Sequence, residues 1–174
     1  MLSVFAKRGF SLYSYRAATN SKVFFSIAKN GQALGDLEFE LYANRSPALV
    51  EHFTEYVTGT NEHGASLEGT SLSGFPGFAV TGGEIANDST PRQPDENLDT
   101  RHFKRGILTL RNSGDNSNSS RFMITLGRTE NLNGYNNAIG ELVAGEHVLK
   151  EIEENLTRHG NAKEELIISA CGKR

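Results

Sequence analysis

Residues 23–42 read VFFSIAKNGQALGDLEFELY, and this stretch predicts two paired β-strands. Val23–Lys29 is rich in β-formers, Asn30-Gly31 and Gly35 supply turn conformations, and Leu37, Phe39 and Leu41 then alternate with Glu38 and Glu40. Period-2 alternation places the three apolar residues on a core face and the two glutamates toward water.

The rest of the chain extends this pattern. After the hairpin, Ser46 is a candidate helix cap and Pro47 suits a first turn. Leu49, Val50, Phe53, Tyr56 and Val57 form an apolar stripe, and Gly59 ends the helix. Residues 60–67 read as loop. The following stretch, GTSLSGFPGFAVTGGE (69–84), is too broken for a helix and too apolar for a solvated loop. Residues 86–100 are polar, contain Pro91 and Pro94, and read as loop. Strands are expected over 107–111, 121–126 and AIGELV (138–143), a short amphipathic helix on Val148, Leu149 and Ile152, and a closing strand in ELIISACG (165–172). Many short strands with two separated helices argue against a parallel βαβ sheet. They predict an antiparallel barrel or sandwich with helices over its ends, and a barrel better explains the glycines at strand corners.

Composition narrows the function. The chain has 174 residues, a mass of 19.0 kDa and a mean hydropathy of -0.44, consistent with one domain after the leader. No run approaches the roughly 18 apolar residues of a membrane span. Four of the 18 basic residues (Lys7, Arg8, Arg16, Lys22) fall in residues 1–22, which hold no acid. The remainder carries 14 basic against 21 acidic residues, a poor match to nucleic acid. The lone cysteine, Cys171, excludes an internal disulfide, and the five histidines are dispersed without metal-ligand spacing, so neither metal nor cofactor is expected. No G-x-S-x-G, GxxxxGK[ST] or GxGxxG motif occurs.

Residues 1–21 form a separate unit. MLSVFAKRGFSLYSYRAATN (1–20) is basic, contains serines and lacks acids. On a helix, Leu2, Phe5, Ala6, Phe10, Leu12 and Tyr13 share a face opposite Lys7, Arg8, Ser11 and Ser14. This pattern predicts a mitochondrial targeting segment, retained as an arm or removed, ahead of a domain over 22–174.

Taken in order, the hairpin stretch, SPALVEHFTEYVTG, EGTSLSGFPGFAVTGGE, DEN, RGILTLRNSGDNSNSSRFMITL, NLNGYNNAIGELVAGEHVLKEIE and IISACG resemble the cyclophilins from about Lys22 to Gly172. The resemblance implies a mainly β fold, an eight-stranded antiparallel barrel capped by two α-helices. It also implies a peptide groove on the outer wall and an ancestral peptidyl-prolyl cis-trans isomerase activity. Phe78 of the PGF…GG stretch would floor the proline pocket, with Gly82 and Gly83 shaping the wall beside it.

An X–Pro amide isomerises slowly because its resonance is lost at the twisted transition state. Catalysis calls for an apolar slot for the ring, a cation or donor at the prolyl nitrogen and a donor at the flanking carbonyl. The resemblance implies an arginine, glutamines and a Phe, Met, Leu, Trp and His ring for these roles. Here the family's His-Arg pair falls at Ser73 and Gly74, with one residue fewer before PGF. Its pocket methionine is Ala79, its first glutamine Thr81 and the alanine of its A-N-A segment Arg111, followed by Asn112 and Ser113. The second glutamine is Arg121, the pocket phenylalanine Met123, and the tryptophan and histidine Asn131 and Asn136, leaving Leu132.

The expected function is therefore a cyclophilin-like protein that lacks a catalytic residue set. It would serve as a structural or interaction subunit of a mitochondrial assembly on the matrix side: a respiratory complex, an ATP synthase or a mitoribosome. The alternative is a weak or specialised isomerase assisting folding in the matrix. A third reading is a peptide-binding module whose Arg111 and Arg121 favour acidic segments.

Overall fold

Asn30 and Gly31 both take left-handed backbone conformations, with φ of 51° and 79°, and this two-residue turn starts the sheet. It joins β1 (Lys22–Lys29) to β2 (Gln32–Leu41). In the computed structural model, which describes residues 13–174, these are followed by α1 (Pro47–Thr58), β3 (Ser73–Phe75), β4 (Ala79–Gly82), β5 (Ile107–Leu110) and β6 (Phe122–Thr125). A 3-10 turn at Glu130–Leu132, then β7 (Ala138–Ala144), α2 (Glu146–Glu154) and β8 (Leu166–Lys173), complete the chain. Every strand pair is antiparallel, in the order β3-β4-β6-β5-β7-β2-β1-β8. The sheet curls until its two ends meet. The residues leading into β3 seal it against β8, with Leu72 N–H donating to Leu166 O and Ile168 N–H to Thr70 O, both at 2.9 Å. The expected eight-stranded antiparallel fold with two helices is what the chain adopts.

The alternation read in β2 is met on its apolar side: Leu37, Phe39 and Leu41 are fully buried. Phe25, Phe53 and Phe122 join them, with Phe25 ring centroids 5.4 Å from both Phe39 and Phe122. Phe53 brings α1 onto this cluster, and its ring stands at 88° to Phe122, the edge-to-face arrangement aromatic quadrupoles favour. Val148, Leu149 and Ile152 bury the face of α2, as their spacing requires.

Three expectations are corrected. Glu40 does not face water: it is 4 % exposed, because residues 15–20 run over it as irregular chain. The strands expected over 107–111 and 121–126 are shorter, omitting Arg111, Arg121 and Leu126. Ser46 does not cap α1 with its side chain, and its buried hydroxyl has no partner. Glu96, from the DEN stretch, does so from a distance, accepting from Ala48 N–H at 3.1 Å and Leu49 N–H at 2.9 Å. A carboxylate there satisfies orphan donors and complements the helix dipole. Of the apolar face drawn on the leader, Leu2, Phe5, Ala6, Phe10 and Leu12 lie outside the described residues.

These caps give opposite expectations for two similar substitutions. Glu96→Ala should cost about 0.5–2 kcal/mol in chemical denaturation, the usual worth of a cap. Ser46→Ala should be neutral or slightly stabilising, since it removes an unsatisfied buried hydroxyl. Equal losses from the two would contradict this assignment.

Candidate functional site: a reshaped groove on the barrel wall

Alternation along β4, β5 and β6 sends Val80, Leu108, Phe122 and Ile124 into the barrel and Ala79, Thr81, Thr109 and Met123 to its outer wall. Register places Met123 opposite both Thr81 and Thr109. On this wall Ala79, Met123 and Leu132, with half-buried Phe78, form a small apolar cluster separate from the main core. Phe78 is held by backbone bonds on both sides: its N–H donates to Phe75 O at 3.1 Å and its carbonyl accepts from Leu126 N–H at 2.9 Å. The structure therefore brings together Phe78, Thr81, Met123 and Leu132.

The polar positions around the cluster are tied to one another. The hydroxyls of Ser73 and Thr81 are 3.0 Å apart. Asn112 donates its amide to Tyr135 O at 2.9 Å, and the Arg121 guanidinium donates to Ser113 Oγ at 2.9 Å. Asn136 is as buried as Met123 and Leu132, and its amide braces the wall by donating to Leu110 O at 2.9 Å. Asn131 is exposed on the 3-10 turn. Arg111 pairs with Arg121 through its backbone, while its guanidinium has no partner among the described residues. Two exposed aromatics, Tyr135 at 75 % and Phe75 at 47 %, stand at the edges of this surface.

Where the resemblance expects a histidine and an arginine, the backbone leaves no room for either at Gly74. This residue has φ of 144°, and a Cβ on it would lie 2.3 Å from Ala79 O and 2.9 Å from the Val80 Cα. Ser73, beside it, ends in a hydroxyl already paired to Thr81. Neither position supplies a cation. Gly83 is constrained in the same way, since a Cβ there would meet Ser120 O at 2.1 Å.

Arg111 and Arg121 flank the groove at equivalent positions, each two residues beyond an outer-wall residue of the β5–β6 ladder. The Arg121 Nε is buried with no partner among the described residues, and the side chain borders a polar recess of about 220 Å³ with Ser119, Arg92, Glu84 and Asp88. Asp88 is engaged, accepting from Tyr56 O–H at 3.1 Å and Thr90 N–H at 3.0 Å. Burial opposes its ionisation, but these bonds and Arg92 hold its carboxyl below the usual range. Among the described residues no group of three His, Cys, Asp or Glu side chains could hold a metal ion, and no helix is long and apolar enough to cross a membrane.

The sequence reading missed the layer beneath the groove. His102 is fully buried, its backbone N–H and Nδ1 lying 2.7 and 2.9 Å from Asn133 Oδ1, and its Nε2 2.8 Å from Thr109 Oγ1. An amide oxygen only accepts, so Nδ1 carries the proton and Nε2 of the neutral ring accepts from the threonine. This chain links the loop bearing Leu132 to the strand facing Met123. A second network holds the 86–100 loop: Asp95 Oδ1 accepts from the amides of Asn118 at 2.8 Å and Asn137 at 2.9 Å. No spacing rule marks either network, because the partners come from distant segments.

An antiparallel eight-stranded barrel with two helices and a small apolar patch on its wall matches a cyclophilin-type architecture. Residues 24–173 match the family described as cyclophilin type peptidyl-prolyl cis-trans isomerase/CLD, and the chain belongs to that family.

Burial holds the His102 pKa below 6.5, against the opposing bond from Asn133, and burial lowers that of His52 despite Glu55 and Asp88. Below pH 6.5 the unfolded chain therefore binds protons that the native protein refuses, so stability falls as pH drops through about 6.5 toward 5. Chemical denaturation at pH 7.5, 6.5 and 5.5 should show this decline, with a shallower slope in His102→Gln. A flat profile would contradict the burial-lowered His102 and His52 pKa values.

Proposed function

We propose that this cyclophilin-family protein uses its barrel as a structural and interaction subunit of a mitochondrial assembly, on the matrix side, without isomerase turnover at the family's ordinary level. The observation that carries the proposal is Gly74. At the place of the expected cation, the fold admits no side chain, and the neighbouring donors are paired internally. Loss of one preorganised donor costs a factor on the order of 10²–10³ in rate, by analogy with oxyanion-hole deletions, and here the pocket ring is altered too. The basic leader supports the mitochondrial reading, and the exposed Tyr135 and Phe75 beside the groove are aromatic anchors of the kind that dominate protein interfaces.

A second reading is a slow, specialised isomerase assisting folding in the matrix. Arg121 favours it: this cation precedes β6 two residues from Met123, which shares an apolar patch with Phe78 and Leu132.

The two readings separate in a turnover assay on the full chain with proline-containing tetrapeptides. The proposal expects a rate at least about 10²-fold below that of a family member bearing the arginine, and unchanged by Arg121→Gln. A rate within tenfold of that enzyme, abolished by Arg121→Gln, would overturn it in favour of the second reading.

A further inference from the structure

Two glutamates face each other directly across the β2–β7 ladder: Glu40 and Glu141 are register partners, 4 % and 3 % exposed. Like charges opposite one another in a sheet repel, and buried ones also lose hydration. Glu141 is neutralised from within the barrel domain, by Lys104 and by the O–H of Tyr42 at 2.9 Å. Glu40 is neutralised by the segment ahead of β1. Arg16 Nε donates to its Oε1 at 3.1 Å, and the Ala17 N–H and the Asn20 amide donate to its Oε2 at 3.0 and 3.1 Å. Lys22, directly opposite Glu40 on the β1 side, makes no ion pair with it. Burial opposes ionisation of Glu40, yet the Asn20, Ala17 and Arg16 contacts hold its carboxyl below the usual range.

The same segment covers an aromatic surface. Tyr15 is 9 % exposed, its ring lying 5.5 Å from Tyr42 and 5.8 Å from Phe103, with the Arg45 guanidinium 4.4 Å over its face. Its hydroxyl accepts from Arg101 N–H at 3.2 Å, and its carbonyl accepts from the Asn44 amide at 3.2 Å. Asn20 and Asn44 are joined in turn, with Asn20 donating to Asn44 Oδ1 at 3.0 Å.

We propose that residues 13–21 are a latch retained in the working protein, and that proteolytic processing of the leader leaves the mature N-terminus at or before Tyr13. A cut past Arg16 would remove the cation paired with Glu40 and uncover Tyr42 and Phe103, and a cut past Asn20 would strip all three donors and strand the buried Glu40 carboxylate opposite Glu141. The leader thus divides into residues a processing protease can remove and residues the barrel cannot spare. This inference stands on the latch geometry and is independent of the compartment.

The first test is the N-terminal sequence and intact mass of the protein purified from its native source. A first residue at or before Tyr13 is expected, and a first residue between 16 and 22 overturns the proposal. The second is limited trypsin digestion of the full recombinant chain, followed by mass spectrometry. The Arg16–Ala17 bond should resist, because the Ala17 N–H is bound to Glu40, and Glu40→Ala or Tyr15→Ala should speed its cleavage at least tenfold. Asn20→Ala, milder than either, should lower Tm by roughly 3–8 °C while leaving a cooperative transition, the scale of a buried hydrogen bond to a charge in a domain of this size. Cleavage at Arg16 that is equally fast in the unaltered chain and in Asn20→Ala, with no change in Tm, would overturn the latch.

Discussion

The backbone of Gly74 lies so close to β4 that a Cβ there would sit 2.3 Å from Ala79 O. That approach sets the wall of the barrel. It draws β3 onto β4, brings residues 70–72 against β8 to close the sheet, and seats Leu72 beside Gly82 and Phe122 at the inner face. It also bars a guanidinium from this position, because a Cβ there would meet Ala79 O and the Val80 Cα.

A similar economy governs charge. The wall that carries the groove remnant keeps its polar side chains engaged locally, Ser73 with Thr81, Asn112 with Tyr135 and Ser113 with Arg121. The opposite region of the sheet holds two buried carboxylates that depend on partners from outside the ladder, Lys104 on one side and the N-terminal segment on the other. A barrel whose outer wall is braced in this way suits a fixed surface for a partner better than a cleft that must accommodate a twisting peptide bond. Buried polar groups contribute specificity when every member is satisfied and cost stability when one is lost.

Much of the architecture was legible in the sequence because it follows short-range rules. Alternation in 37–41, the Asn30-Gly31 turn, the apolar stripe of α1 and the glycine-rich wall each report local geometry, and their order carried the family resemblance. The groove positions Phe78, Met123 and Leu132 came from the family resemblance, and the fold gathers them with Ala79 in one apolar cluster. What escaped depends on distant partners. Glu40 reads as a solvent-facing strand residue until the segment around Arg16 and Asn20 is laid across it. Ser46 reads as a cap until Glu96, fifty residues away in sequence, reaches the same amides. Asn136 is placed by the resemblance alone, and only the fold shows its amide bound to Leu110 O. His102, Asn133 and Thr109 have no shared spacing at all. Hydrogen-bonded polar residues are assigned by tertiary placement, whereas periodicity reports only which face of an element is apolar.

The central claim is that the scaffold is kept as part of a larger particle. Native-gel or size fractionation of mildly solubilised mitochondria, probed for this chain, tests it most directly. Migration in a particle many times larger than 19.0 kDa is the expected result, and the co-migrating proteins would identify the assembly. Migration of the whole population as a free small protein, or its absence from mitochondria, would contradict the account.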